Sequence, residues 1–142
     1  MADLRNDAEL NKLICRWVAT VAGGQWNETG ATYSPDSLTV VYGQIDETSD
    51  REIAVQIYLW TDDDIRFLHW RRVQFRIRGR RHDLTDADEI AWSIFSAQHT
   101  LSREGGISDA RRASVALLGA DNNGREERTD NYTITLDNQE SS

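Results

Sequence analysis

The chain has 142 residues, of which 39% are hydrophobic and 28% are charged, and its formal net charge at pH 7 is −8. This length fits a single domain over residues 1–142, and the apolar fraction with five Trp excludes an intrinsically disordered protein. The single cysteine, Cys15, excludes an intramolecular disulfide and a cysteine-based zinc site, and the lack of any run of 18 apolar residues predicts no transmembrane helix.

The first predicted element is a helix from about Asp7 to Val21. Apolar residues recur in it at three- and four-residue spacing and form one broad stripe: Leu10, Leu13, Ile14, Trp17, Val18 and Val21. Asn6 or Asp7 can cap its start, and Gly23-Gly24 provides a stop. The residues before it lack the basic and apolar regions of a signal peptide, so we expect folding in a cytoplasm. A loop over residues 25–36 is predicted to follow.

Three strands are predicted next, over about residues 38–43, 53–60 and 72–78, because apolar residues alternate there with period two. The third strand has Val73, Phe75 and Ile77 on its inward side and a polar outward row of Arg72, Gln74, Arg76 and Arg78. Such alternation is typical of a half-buried antiparallel sheet. Residues 62–69, which begin with three aspartates, are predicted to form a solvated connection between the second and third strands.

A second helix is predicted from about Leu84 to His99, since acidic residues crowd its first turns and apolar residues line one face. Two more strands are predicted at about 113–118 and 129–136, followed by a polar tail at 137–142. The fold class expected from this order is α+β, with a mainly antiparallel sheet of about five strands. Two helices cannot cover both faces of that sheet, so we expect them on one face.

The charge is unevenly distributed. Seven arginines and no acid lie between Ile65 and His82, whereas 24 acids face nine basic residues elsewhere. A basic row with nearby aromatic residues can bind nucleic acid. The strongly negative total instead favours a solvated face or a contact with another subunit, through arginine–carboxylate pairs.

Enzymatic and metal sites are not predicted. No nucleophile elbow, P-loop or dinucleotide fingerprint is present, and His69, His82 and His99 lack metal-ligand spacing. The run Asp62-Asp63-Asp64 lacks the glycine and terminal glutamate of an EF-hand loop. The sequence therefore predicts no enzyme, no metal and no cofactor.

The segment Asp121 to Arg125 has the composition of a tight hairpin turn, with Asn123-Gly124 at its centre and Gly124 in a positive-φ conformation. It is either a simple turn or one that presents Asp121 and Arg125 to a neighbouring subunit. An exposed pair within the turn would contribute only about 0–1 kcal/mol. We therefore expect Arg125→Ala to leave monomer stability nearly unchanged.

Several segments in this order resemble the tail terminator proteins of long-tailed phages, especially those of actinobacterial phages. The segments are a Pro-Asp before the strands, a strand similar to VQVRVRG, a helix with spaced alanines and a closing LG-x-D-x-x-GR-x-E-R-x-x-NY signature. They correspond here to Pro35-Asp36, Val73 to Gly79, Ala87 to Ala97 and Leu118 to Tyr132. The closing signature is the most specific part, and the resemblance covers most of the chain.

The resemblance implies a mixed α+β virion protein, assembled in the host cytoplasm and located at the tail–neck junction. It would form a ring, commonly a hexamer, that caps the head-proximal end of the tail tube. Its partners would be other copies, the tail tube protein and the head-completion protein, with viral DNA passing through the lumen without sequence-specific binding. A head-completion or neck adaptor protein and a nucleic-acid-binding accessory protein remain alternatives. The candidate contact residues are Arg72, Gln74, Arg76, Arg78, Asp121, Asn123, Gly124, Arg125 and Asn131.

Overall fold

A computed structural model describes residues 3–28, 37–47 and 49–137, where six strands form one sheet beside three helices. The helices are α1 (Asp7–Ala22), α2 (Asp86–Ser96) and α3 (Gln98–Leu101). The strands are β1 (Gln25–Trp26), β2 (Thr39–Tyr42), β3 (Glu52–Asp63), β4 (Leu68–Arg81), β5 (Ile107–Ala120) and β6 (Arg125–Leu136). Within this part of the chain, no helix is long and apolar enough to cross a membrane.

The sheet is mixed, with strand order β1-β2-β3-β4-β6-β5. The pairs β3–β4, β4–β6 and β5–β6 are antiparallel, whereas β1–β2 and β2–β3 are parallel. The α+β class is thus confirmed, but the expected five-stranded, mainly antiparallel sheet differs in detail. A two-residue strand such as β1 shows no periodicity, and alternation along β2 does not report the direction of its neighbour.

The predicted second helix is also shorter and divided. It begins at Asp86. Just before it, Asp83 Oδ1 accepts hydrogen bonds from the backbone N–H groups of Thr85 and Asp86. Leu84 is therefore outside the helix and exposed. The chain leaves helical geometry at Ala97, where φ is −102°, and α3 follows as a separate turn. The predicted start of α1 is confirmed, since Asn6 Oδ1 accepts a hydrogen bond from the N–H of Ala8.

One face of the sheet, the inner face, packs against α1 and α2 and forms the hydrophobic core. The aromatic rings of Phe75 and Tyr132 meet edge to face there, with centroids 5.2 Å apart. The core members from the helices and sheet include Leu10, Ile14, Val18, Ile90, Ile94, Ile53, Val55, Val73, Ile77 and Ile134. The opposite face, the outer face, carries the side chains that alternate with these core residues, as period-two geometry requires.

Two long hairpins, β3–β4 and β5–β6, extend further than predicted. β3 continues to Asp63 and β4 begins at Leu68, so the predicted solvated connection over 62–69 is wrong for its first two and its last two residues. Asp62 lies within the strand because its carboxylate has fixed partners across the hairpin, 2.7 Å from His69 Nδ1 and 2.9 Å from an Arg71 nitrogen. The turn itself contains Phe67 with φ of 54°, an uncommon conformation for a bulky residue.

A buried carboxyl group lies at the start of β3. Glu52 is fully buried, and its two oxygens accept hydrogen bonds from the Thr39 hydroxyl and from the N–H of Asp46. Burial is the main cause that raises the pKa of Glu52 to about 8, and the Asp46 carboxyl adds to the rise. The Asp46 N–H and Arg78 oppose it only partly. Glu52 therefore holds a proton near neutral pH.

This shift predicts a pH dependence of stability. The folded-state pKa of Glu52 lies above 4.5, the ordinary value, so its contribution is present below pH 4.5 and is lost as pH rises towards 8. When the pH is raised from 5 to 8.5, we expect the free energy of unfolding to fall in the wild type by at least about 1 kcal/mol more than in Glu52→Gln. Urea unfolding at both pH values measures this difference. Glu89→Gln, at an exposed position on α2, controls for net charge. Equal losses in all three proteins would contradict the assignment.

Candidate assembly interface

The basic segment between residues 65 and 82 is largely neutralised inside the folded chain. Six of its seven arginines lie within 4.0 Å of a carboxylate: Arg66, Arg71, Arg76, Arg78, Arg80 and Arg81. Arg76, Arg78 and Arg81 pair with acids far away in sequence, whereas Arg66, Arg71 and Arg80 pair with acids just outside the basic segment. Composition alone does not show these pairs and indicated an isolated basic stripe. That stripe is instead an ion-pair framework within the monomer.

Arg71 is the inner-face member of this framework and is buried. Its guanidinium is 2.9 Å from an Asp62 oxygen, and its Nε is 3.6 Å from an Asp7 oxygen at the first residue of α1. Trp60 Nε1 donates a hydrogen bond to the same Asp7 side chain at 3.0 Å. The β3–β4 hairpin is thereby fixed to the N-terminal end of α1.

Arg78 points to the outer face as predicted, but it is not available to a partner. The chain segment between β2 and β3 covers it, and its guanidinium donates to the carbonyl oxygens of Asp46, Ser49 and Asp50 at 2.6–2.9 Å. Its exposure is 1%. The expectation of an exposed contact residue is therefore wrong for Arg78, because the strand's alternation does not report that a loop folds over this end of the face.

The predicted turn residues form a second buried centre. Asp121 accepts hydrogen bonds from the N–H groups of Asn123 and Arg125 and lies 2.8 Å from the Arg125 guanidinium. Burial opposes ionisation of Asp121, but these donors outweigh it and lower its pKa to about 2. Arg125 also reaches Asp50 at 3.1 Å and Glu47 at 3.0 Å, so it joins the β5–β6 turn to the segment before β3.

Gly124 is required by this geometry. Its φ is 73°, as predicted, and a Cβ at this position would lie 2.9 Å from His82 Nδ1. His82 itself has φ of 58°, and its backbone N–H donates to the Gly124 carbonyl at 2.8 Å. The β5–β6 turn is thus packed against the end of β4. Of the predicted turn residues, Asn123 is exposed.

The remaining candidates lie on the outer face and are half-buried. Gln74 Nε2 donates to Asn131 Oδ1, and Asn131 Nδ2 donates to Ser114 Oγ, which gives an uncharged polar row across β4, β6 and β5. Arg76 pairs with Glu127 at 2.6 Å. Arg72 has no carboxylate partner among the described residues. The candidate set therefore divides into an accessible outer-face group and a turn group whose Arg125 is internal.

Sequence reasoning missed two exposed apolar regions. The tip of the β3–β4 hairpin exposes Tyr58, Leu59, Trp60, Ile65, Phe67 and Leu68, and the second half of β5 exposes Val115, Leu117 and Leu118. Patches of this kind mark interaction sites more often than single exposed apolar residues do. The consecutive Leu117 and Leu118 were a signal, because adjacent strand residues point to opposite faces and both cannot reach one core.

Because Arg125 is buried, the expectation that Arg125→Ala leaves the stability of the monomer nearly unchanged is wrong. Its removal leaves Asp121, Glu47 and Asp50 without their shared cation, and we expect a loss of about 1–3 kcal/mol in the free energy of unfolding. The matched control is Arg81→Ala, which also pairs with Asp50 but is half-exposed, with an expected loss of about 0–1 kcal/mol. Chemical denaturation measures both. Equal losses would show that Arg125 does not hold the turn.

Comparison with known proteins identifies the fold's family. Residues 18–138 match the family model described as bacteriophage tail terminator protein, from the second half of α1 through the end of β6. No curated protein sequence gives a match. The resemblance drawn from the sequence is confirmed, and the match covers both the helical layer and the sheet. The chain belongs to the bacteriophage tail terminator family and is a structural component of a phage tail.

Proposed function

We propose that copies of this protein form a ring at the head-proximal end of the tail tube of a long-tailed phage. The ring, a hexamer in this proposal, stops polymerisation of the tube protein and offers a surface to the head-completion protein. It acts at the tail–neck junction without catalysis, metal or cofactor. The single observation that carries the proposal is the family match across residues 18–138.

The folded position of the family-like signature supports this reading. The segment from Leu118 to Tyr132 forms the end of β5, the turn and most of β6, and most of its charged residues form ion pairs within the chain. Asp121 and Arg125 fix the turn, and Glu127 pairs with Arg76. The signature thus builds a rigid hairpin at one edge of the sheet. A rigid element suits a ring subunit, because small errors in its shape would accumulate around a closed ring.

The charge arrangement supports passage of DNA rather than its recognition. The formal net charge is −8, and the arginines that could bind phosphates are mostly held by carboxylates of the same chain. A surface with few free cations neutralises few phosphates and releases few counterions, so its affinity for duplex DNA is low. DNA can then move through the lumen without adhering to its wall.

Within the predicted contact set, the accessible members are proposed to meet neighbouring subunits or the tube. These are Arg72, Gln74, Arg76 and Asn131 on the outer face, with Asn123 at the β5–β6 turn. The buried members, Arg78 and Arg125, act by holding that surface in shape. A role as head-completion protein would also need a ring, and tail morphology distinguishes the two.

Electron microscopy of lysates tests the terminator role. Disruption of the gene is expected to give overlong, unterminated tails and tailless heads, because nothing stops tube polymerisation, and supply of the wild-type protein in trans should restore joined particles. Complementation with Arg103→Ala, at an exposed position outside the contact set, is the control and should also restore them. Free tails of normal length beside heads would instead support the head-completion alternative.

Duplex binding tests the nucleic-acid alternative. Because six of the seven arginines in the basic segment are paired internally, we expect no tight binding of a random DNA duplex by fluorescence anisotropy at about 0.15 M salt. Tight binding that weakens steeply with salt, and is lost in Arg76→Ala, would favour the accessory-protein reading.

A further inference from the structure

The outer face of the β3–β4 hairpin carries an apolar surface with one uncompensated cation. Leu59 lies directly opposite Arg72 across the β3–β4 pair, and Leu68, Trp70 and Arg72 alternate along β4 on the same face. Leu59 and Leu68 are 45% and 42% exposed. We name Leu59, Leu68, Trp70 and Arg72 the hairpin patch. No helix of the described residues covers it, since α1 and α2 pack on the inner face.

Arg72 differs from the other arginines of its segment. Its guanidinium lies 5.7 Å from the centre of the Trp70 ring, and its Nε is buried without a hydrogen-bond acceptor in the described part of the chain. A buried donor without an acceptor is unfavourable by about 1–3 kcal/mol, and more for a charged group. The hairpin patch therefore fits a partner that presents apolar side chains and a carboxylate.

A second surface with that composition lies at the other end of the sheet, on the inner face. Val115 and Leu117 are 41% and 73% exposed, opposite Asp130 and Arg128 of β6. Glu126 follows on the same side of β6, and it forms no ion pair with a described residue, whereas Glu127 and Asp130 are paired. We name Val115, Leu117 and Glu126 the edge patch.

α2 continues the edge patch. Asp88 pairs with Arg128, and Trp92, 62% exposed, follows one helical turn later on that side of α2. The ring of Trp92 contacts Phe95, which in turn stacks against the Arg112 guanidinium of β5. Within the described part of the chain, apolar surface thus extends uncovered from β5 to the helix.

The backbone beside the edge patch is open as well. β5 is the last strand of the sheet, and residues 113–120 are all exposed and uncharged. Before this segment, Gln98 accepts a hydrogen bond from the N–H of Arg112. Stable monomers blunt such edges with charges, prolines or covering elements, because an open apolar edge invites association. This edge is therefore open to pairing with another chain.

We propose that the hairpin patch of one copy binds the edge patch of the next copy, and that this contact closes the ring. The inference rests on the proposed function. Two identical chains of net charge −8 repel each other over most of their surfaces, and these two regions are the apolar ones with few charges. Their unpaired charges, Arg72 and Glu126, are of opposite sign. Two different, complementary patches on one chain give the head-to-tail contact that a cyclic ring requires.

A charge exchange tests the pairing. Arg72→Glu and Glu126→Arg should each weaken self-association at least tenfold by analytical ultracentrifugation, because like charges then meet at every contact. The variant with both substitutions should recover association. An equimolar mixture of the two single variants should also recover it, since each contact between unlike copies joins opposite charges. Arg103→Glu, an exposed charge reversal outside both patches, should assemble as wild type.

Apolar contacts receive a separate test. Leu117→Asp and Leu59→Asp should each be monomeric, and their mixture should stop at a dimer, because only one intact hairpin patch and one intact edge patch can meet. Circular dichroism of each variant confirms that it is folded.

Three results overturn the proposal. They are wild type that stays monomeric at concentrations on the order of 100 µM, single variants that assemble normally, and single-variant mixtures that fail to recover. The second result would leave a ring and the terminator role intact, whereas normal tail length after gene disruption would remove the role itself.

Discussion

Burial of arginine guanidinium groups among carboxylates is the constraint on which the rest of this structure depends. Arg71, Arg78 and Arg125 are the largest fully buried side chains among the described residues. A buried cation is strongly destabilising unless it is paired and hydrogen-bonded, so each of the three fixes the elements that supply its partners. Arg71 fixes α1 to the β3–β4 hairpin, and Glu47 lies between Arg78 and Arg125. Buried ion pairs therefore hold the two ends of the sheet in addition to the apolar core.

This use of charge explains the surface that remains. Because the carboxylates of Asp50, Asp62 and Asp86 are occupied by arginines of the same chain, the molecule has little free positive surface despite its fifteen Arg. The helices cover only the inner face, and they end before the second half of β5. What is left for a partner is the uncharged polar row through Gln74 and Asn131, and the two apolar patches. The proposed role, a ring through which DNA passes, fits this division.

The elements with a periodic pattern of apolar residues could be predicted from the sequence. Period-two alternation placed Val73, Phe75 and Ile77 in the core, and three- and four-residue spacing placed α1 within one residue of its end. β1 could not be predicted, because two residues show no periodicity. The direction of β2 could not be predicted either, because its own residues do not encode it. The turn at Gly124 was predictable because positive φ strongly selects glycine.

The candidate site was predictable only in part, and for a physical reason. Alternation correctly placed Arg72, Gln74 and Arg76 on the outer face, but exposure depends on what folds over a strand. Arg78 points to the same face as Arg76. It is buried because carbonyl oxygens of Asp46, Ser49 and Asp50 lie over it and accept its hydrogen bonds. Ion partners such as Glu47 and Glu127 lie far away in sequence, so a basic run cannot reveal its own neutralisation. The hairpin patch and the edge patch depend equally on which faces the helices leave uncovered.

A cryo-electron microscopy reconstruction of the head–tail junction of the assembled phage tests the central claim most directly. We expect a closed ring of this chain between the last tube ring and the neck, with Leu59 and Arg72 of one subunit facing Leu117 and Glu126 of the next. Arg78 and Arg125 should remain inside each subunit. A junction without this chain, or a ring in which the β3–β4 hairpin and the β5 edge both face solvent, would contradict it.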